Sequence, residues 1–229
     1  MIISARTPFH LTNRSNTLTQ KLCFDIILHR KVIVSVISKD KIKPAYIAKN
    51  KTVSRLLDNQ IAVMKKIRHP NILSLYDVVI DPDCDLVYLA SEYRPGVTTY
   101  SFLEQSPIVK MDQLRKYTRQ LVDAIDFCHN TAGILHRNIN LKNILLTNSD
   151  DILVSNVGHS FLLNLEQMSA NIKENILFTA PELYKDESSW SYSTDIWALG
   201  VCLYFMAEGA FPFNGHNADQ LIKITETTK

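Results

Sequence analysis

Ile134 to Gly158 reads ILHRNINLKNILLTNSDDILVSNVG, and the rest of the chain is organised around it. The stretch opens as a tight loop and continues as two short apolar runs separated by the polar turn TNSDD. His136, Arg137, Asn138 and Asn143 crowd into the loop, and Asn156-Val157-Gly158 follows the second run. Polar side chains at fixed spacing beside apolar runs mark a place where a scaffold presents functional groups.

Just upstream, Asp112 to His129 carries Tyr117, Leu121, Ile125 and Cys128 three or four residues apart. That period predicts an amphipathic helix with Asp112 at its N-cap or in its first turn. Downstream, residues 159–179 show little periodicity. Ser191 to Phe213 then begins with a capped, strongly apolar helix, expected to be surrounded by protein. A short helix is expected from Ala218 to Thr225.

The N-terminal part has a different texture. Residues 1–21 are polar and irregular, and strands are expected at Leu22–Leu28 and Lys31–Ser38, with His29-Arg30 as the turn. Leu56, Leu57, Ile61, Met64 and Ile67 predict a helix over Thr52–Arg68, ended at His69-Pro70. Two further strands are expected at Ile72–Ile80 and Asp85–Ser91, joined by the acidic turn DPDCD. Strands first and helices after them make the fold class α+β.

Bulk composition excludes several functions. The formal net charge is only +2, which gives no whole-chain case for nucleic acid. Residues 29–70 nevertheless hold eleven Lys/Arg against Asp40 and Asp58, a basic segment suited to a solvated face, an acidic partner or an anionic lipid. Cys23, Cys84, Cys128 and Cys202 form no C-x-x-C pair, and Cys128 and Cys202 fall in apolar helical patterns as buried thiols. No run of eighteen apolar residues predicts a membrane span, and MIISARTPFH lacks a signal-peptide core. The expectation is an intracellular, cytoplasmic protein.

The motifs, taken together, resemble the eukaryotic protein kinases. His136, Arg137 and Asn143 sit at the spacing of H-R-D-x-x-x-x-N, and Asn156-Val157-Gly158 stands where that family has D-F-G. Ala180-Pro181-Glu182 matches A-P-E, and Asp195-Ile196-Trp197-Ala198-Leu199-Gly200 matches the central helix of the large lobe. QIAVMKKIRHPNI, residues 60–72, resembles the helix that carries the family's ion-pairing Glu. Val32–Ile42 resembles the V-A-I-K strand. The texture is nearest the calcium/calmodulin-dependent and calmodulin-kinase-kinase groups of Ser/Thr kinases.

The resemblance implies a bilobal fold. Residues 1–92 would form a β-rich N-lobe with one main helix, irregular or divergent over 1–21. Residues 93–229 would form a mainly helical C-lobe. The family continues beyond the short last helix with others, one carrying an Arg for the A-P-E Glu, so the C-lobe is expected to be incomplete and Glu182 to find another partner or stay hydrated. By the same resemblance Ile33 takes the place of the Ala against adenine. Ser35 stands for the phosphate-binding Lys, Gln60 for its Glu partner, Ser91 for the gatekeeper, and Glu92-Tyr93 for the hinge.

Chemistry departs from the family at several places. Asn138 replaces the proposed catalytic Asp and Asn156 the main metal ligand, leaving Asn143 of the metal pair. Glu174 and Asn175 replace the Gly-Thr before A-P-E, and no glycine occurs before Gly96 to let backbone cradle phosphates. The resemblance therefore implies a pseudokinase, with no cofactor, acting as scaffold or allosteric partner of another kinase or signalling protein, with segment 29–70 as a candidate contact. The alternatives are an atypical ATP- and Mg²⁺-dependent Ser/Thr kinase with rearranged ligands, and a truncated kinase remnant. Arg137 could receive a phosphate placed on Ser160 or Ser169.

Overall fold

The computed structural model describes residues 3–4, 19–42, 61–80, 85–162, 175–186, 188–215 and 217–227. The chain divides into two compact units. Unit one comprises residues 1–69, 73–94 and 161–167; unit two comprises 70–72, 95–160 and 168–229.

Unit one is built on an antiparallel five-stranded sheet in the order β1-β2-β3-β5-β4. Its strands are β1 Ile3–Ser4, β2 Thr19–Asp25, β3 Arg30–Ser38, β4 Leu75–Ile80 and β5 Leu86–Glu92. The run KVIVSVIS is rich in β-branched residues, which suits a strand paired on both sides, and β3 pairs with both β2 and β5. Alternation sends Val32 and Val34 to one face, where they pack with Cys23 against Val36, Tyr76 and Tyr88.

Expected and observed boundaries differ in instructive ways. The first strand ends at Asp25 instead of Leu28, because the buried Asp25 carboxylate accepts from the backbone N–H of Ile27 and of Leu28 and turns the chain there. The turn is 26–29, not His29-Arg30, and Arg30 already belongs to β3. Residues 1–21 are not wholly irregular, since β1 and the start of β2 lie among them. The strand expected from Ile72 starts only at Leu75, and its neighbour runs one residue past Ser91 to Glu92. Of the helix expected over Thr52–Arg68, residues 61–66 are described and helical, with Met64 and Ile67 buried as the stripe requires. Gln60, Leu56 and Leu57 lie outside the described residues, as does most of the DPDCD turn.

Unit two is mainly helical. A short sheet β6-β7-β8 (Gly96–Thr98, Ile144–Thr147, Ile152–Val154) underlies the quoted stretch. Helix α1 (Thr99–Gln105) starts at the Thr98 side-chain cap and is followed by α2 (Met111–Asp126), α3 (Pro181–Lys185), α4 (Tyr192–Glu208) and α5 (Ala218–Thr227). Strand β6 and α1 carry too few residues to show a period, and the sequence did not reveal them. Helix α2 buries Tyr117, Leu121 and Ile125, and Asp112 sits in its first turn behind an N-cap at Lys110. Its expected last turn widens into a π turn, Phe127–Thr131, which buries Cys128 and His129.

Helix α4 starts at a capping box between Ser191 and Thr194 and ends at Gly209 in the left-handed region. It is not surrounded by protein along its whole girth. Tyr192, Ile196 and Tyr204 are about half exposed on one flank, and Gly200 shares that flank with open space around it. The opposite flank buries Leu199, Cys202 and Met206. No described helix is long and apolar enough to cross a membrane.

Candidate functional site

Asp195, in the first turn of α4, organises the loop of unit two. It is almost fully buried, which is tolerable for a carboxylate only when every lone pair is used. Oδ2 accepts from the backbone N–H of His136 at 2.8 Å and lies 2.9 Å from His129 Nε2, which donates to it. Oδ1 accepts from the N–H of Arg137 at 2.8 Å. Arg137 takes φ +62°, a conformation that costs a non-glycine residue about 1 kcal/mol or more, and the charge-assisted bonds hold it there. Tyr192 stacks on His129 with ring centroids 4.5 Å apart.

His136 is wholly buried and its partners fix the tautomer. Nε2 donates to the carbonyl of Ser155 at 2.9 Å, and Nδ1 accepts from the N–H of Asn138 at 3.2 Å. Burial lowers its pKa, against the opposing charge of Asp195, so the ring is neutral. His159 lies beyond Gly158, also buried, with its pKa pushed down to about 3 by burial and by His136. Ser160 is buried too and donates to the carbonyl of His136 at 2.7 Å. Ser160 is therefore not a hydroxyl open to phosphorylation, contrary to expectation, and Ser169 lies outside the described residues.

Four asparagine side chains meet in front of this frame. Asn138, which the resemblance puts at the position of the base, accepts at Oδ1 from Asn140 Nδ2 at 2.8 Å, and its carbonyl accepts from Asn143 Nδ2 at 2.7 Å. Asn140 Oδ1 in turn accepts from the N–H groups of Lys142 and Asn143, an Asx turn that shapes the loop. Asn156 Nδ2 donates to Asn143 Oδ1 at 2.9 Å. The two positions the resemblance assigns to a metal thus bond to each other. A divalent cation would need both to present oxygen, yet Asn156 presents N–H and Asn143 has its oxygen committed. None of the four carries charge. This donor set does not fit Mg²⁺, and among the described residues no group of three or more His, Cys, Asp or Glu is placed to hold a metal ion.

A small cavity of about 30 Å³ opens beside Asn138, lined also by Arg137, Asp195, Thr179, Ala180 and Leu183. It has room for about two waters. Ala180 and Leu183 pack against Trp190 and Trp197, and Trp197 stacks on Phe213 at 5.4 Å. Pro181 begins α3, where its missing N–H costs nothing. Among the described residues Glu182 makes no ion pair. Gly158, with φ +77°, ends the Asn-Val-Gly turn in a conformation that suits glycine. Gly200 stands apart on the exposed flank of α4.

The positions in unit one form their own set. Ile33 pairs across from Ser91 in the β3–β5 register, and Ser35 across from Leu89. Ser35, where the resemblance expects a Lys, is buried and accepts from Gln20 Nε2 at 3.3 Å. Glu92 accepts from Ser74 N–H at 3.2 Å and pairs with Arg94 at 2.6 Å.

Three features escaped sequence reading. His129 reads as the last residue of a helix, with nothing to point at Asp195. Asn140 carries a signal in hindsight, since an Asn two residues after another in a loop favours an Asx turn. The third is the clamp between the β7–β8 turn and α2. Asp150 accepts from Tyr117 Oη and from Gln113 at 3.2 Å, and Lys116 bridges Asp150 and Asp151 at 3.4 and 3.2 Å.

The protein kinase domain model matches residues 23–229. The chain is similar to two rice proteins (Oryza sativa subsp. japonica). It is 29% identical to CBL-interacting protein kinase 25 over 179 residues, 75% of this chain and 34% of that one. It is 30% identical to CBL-interacting protein kinase 31 over 200 residues, 84% of this chain and 41% of that one. The chain thus spans between about a third and two fifths of the length of these curated relatives.

Proposed function

The chain belongs to the protein kinase family, and from that premise we propose that it is a pseudokinase that works by binding. One observation carries this: the direct Asn156–Asn143 hydrogen bond, which commits to each other the two side chains that would hold Mg²⁺. Two further substitutions point the same way. Asn138 has no basic carboxylate, and losing a general base costs about 10²–10⁴ in rate. Ser35 is uncharged and occupied by Gln20, so it supplies nothing to a phosphate. ATP and Mg²⁺ are accordingly not cofactors in this proposal.

The partner is a signalling protein. The relatives' names say that they interact with CBL, and this chain would engage a protein of that kind or another kinase, with the basic segment 29–70 as one contact surface. An atypical kinase is the second reading, favoured by the intact anchoring of His136 and Arg137 on Asp195. The deciding experiment is phosphoryl transfer from Mg-ATP, to the chain itself and to Ser/Thr peptides. No transfer above a buffer control is expected. Robust transfer that is lost in Asn143→Ala would establish the atypical kinase.

A further inference from the structure

The β2–β3 hairpin has a tip that folding alone does not explain. Turns favour Gly, Asn, Asp and Ser, each for a backbone reason. Here residues 26–28 are Ile-Ile-Leu, exposed by 43%, 59% and 58%, with Phe24 beside them at 38%. These are four of the six large exposed apolar side chains described in unit one. Two of the tip's backbone donors are already met from within. Asp25 Oδ1 accepts from Ile27 N–H at 3.1 Å and Leu28 N–H at 3.2 Å, so neither donor needs water. The other carboxylate oxygen faces Arg30 at 3.7 Å, and that guanidinium lies over the Tyr76 ring at 3.5 Å.

Behind the tip the strands carry cations. Lys31 is exposed and stands directly across from Phe24, and Lys21 is exposed further down β2. The one carboxylate at the tip, Asp25, is buried and paired. Described residues of unit one hold nine Lys/Arg against five Asp/Glu.

We propose that this hairpin is a docking finger for an anionic lipid surface. Apolar side chains at the tip would enter the boundary between headgroups and acyl chains while Lys21 and Lys31 meet the anionic headgroups. The two satisfied turn N–H groups lower the penalty for placing backbone near an apolar phase. A bilayer fits better than an acidic protein because four exposed apolar side chains stand beside exposed lysines, and a fluid phase with anionic headgroups takes up both without a matching pocket.

Vesicle flotation of the 229-residue chain tests this, with phosphatidylcholine alone and with phosphatidylserine added. The unmodified chain should float with the phosphatidylserine vesicles and far less with phosphatidylcholine. Ile27→Asp with Leu28→Asp, or Leu28→Ser alone as the milder change, should remove most of the bound fraction. Lys21→Glu with Lys31→Glu, or about 0.5 M salt, should reduce it roughly fivefold or more. All four side chains are exposed, so thermal unfolding should not move. Failure to float, or flotation equal in the tip variants, overturns the proposal. Capture on immobilised polyglutamate without vesicle binding overturns it in favour of an acidic protein partner.

Discussion

Asn156 Nδ2 donates to Asn143 Oδ1 at 2.9 Å, and Asn143 Nδ2 donates onward to the carbonyl of Asn138 at 2.7 Å. Each amide has its polarity set by the next. Where an active kinase has a cation between two oxygens, the Asn156 side chain here turns an N–H toward the single oxygen of Asn143. Hydrogen bonds link Asn156, Asn143, Asn138 and Asn140 into one chain.

Asn156→Asp should therefore weaken the fold. The carboxylate turns a donor into an acceptor facing the Asn143 oxygen, and Asn143 cannot rotate without giving up Asn138. A loss of about 1–3 kcal/mol is expected from the broken bond and the facing oxygens. Millimolar Mg²⁺ should restore part of it in the variant and leave the unmodified chain unchanged. Urea unfolding with and without Mg²⁺ decides this; equal stability of both proteins, indifferent to Mg²⁺, would count against the linked-asparagine account.

Asp195→Asn should cost more. The carboxylate serves two backbone N–H groups and His129 from a buried position, and an amide aims N–H at one of them. At least about 2–4 kcal/mol should be lost, because a charge-assisted network is left partly unmet. His129→Phe keeps the stacking on Tyr192 and removes one bond, so its cost should be smaller. The order of the two variants in urea midpoint is the check, and a reversed order would show that His129 matters more than the loop anchoring.

Nucleotide should stabilise this chain little. A ligand at about 100 times its Kd adds about 2.7 kcal/mol, roughly 5–10 °C in Tm for a chain of this size. Ser35 is buried against Gln20, and Ile33 puts a larger side chain than the family's Ala across from Ser91. Millimolar Mg-ATP should move Tm by far less than that. A shift of several degrees, reproduced by ADP and abolished by removing Mg²⁺, would require a nucleotide-sensing function.

How much of this was legible depended on what each residue's neighbours had to contribute. The loop motif survives in sequence because backbone spacing fixes where His136, Arg137 and Asn143 fall. The replacement of acids by Asn138 and Asn156 is equally visible. What spacing cannot say is which end of an amide faces which oxygen, and the chain of asparagines rests on that. Helix α4 is apolar on every side, so its sequence could not reveal that Ile196 and Tyr204 lie on an exposed flank. The apolar run Leu22–Leu28 reads as strand to its end, and only the burial of Asp25 turns its last three residues into a tip.

The buried histidines make stability depend on pH in a defined window. The folded pKa of His159 is pushed down to about 3, and that of His136 is also lowered, both first by burial. An unfolded histidine titrates near about 6.5. Below that value the unfolded chain binds protons that the folded chain refuses, so it is favoured as pH falls. Stability from these groups is complete above about pH 6.5 and declines toward lower pH, by up to about 1.4 kcal/mol per pH unit for each histidine. Asp150, Asp151 and Asp186, whose pKa values are lowered mainly by hydrogen bonds, act in a separate window below about pH 4. Urea midpoints between pH 5 and pH 8, in steps of about half a unit, should slope upward to about pH 6.5 and then flatten. His159→Leu removes one titrating group whose Nδ1 has no partner among the described residues, so the variant should keep its neutral-pH stability and show a shallower acid limb. An acid limb of unchanged slope in that variant would show that His159 is protonated in the folded chain without penalty.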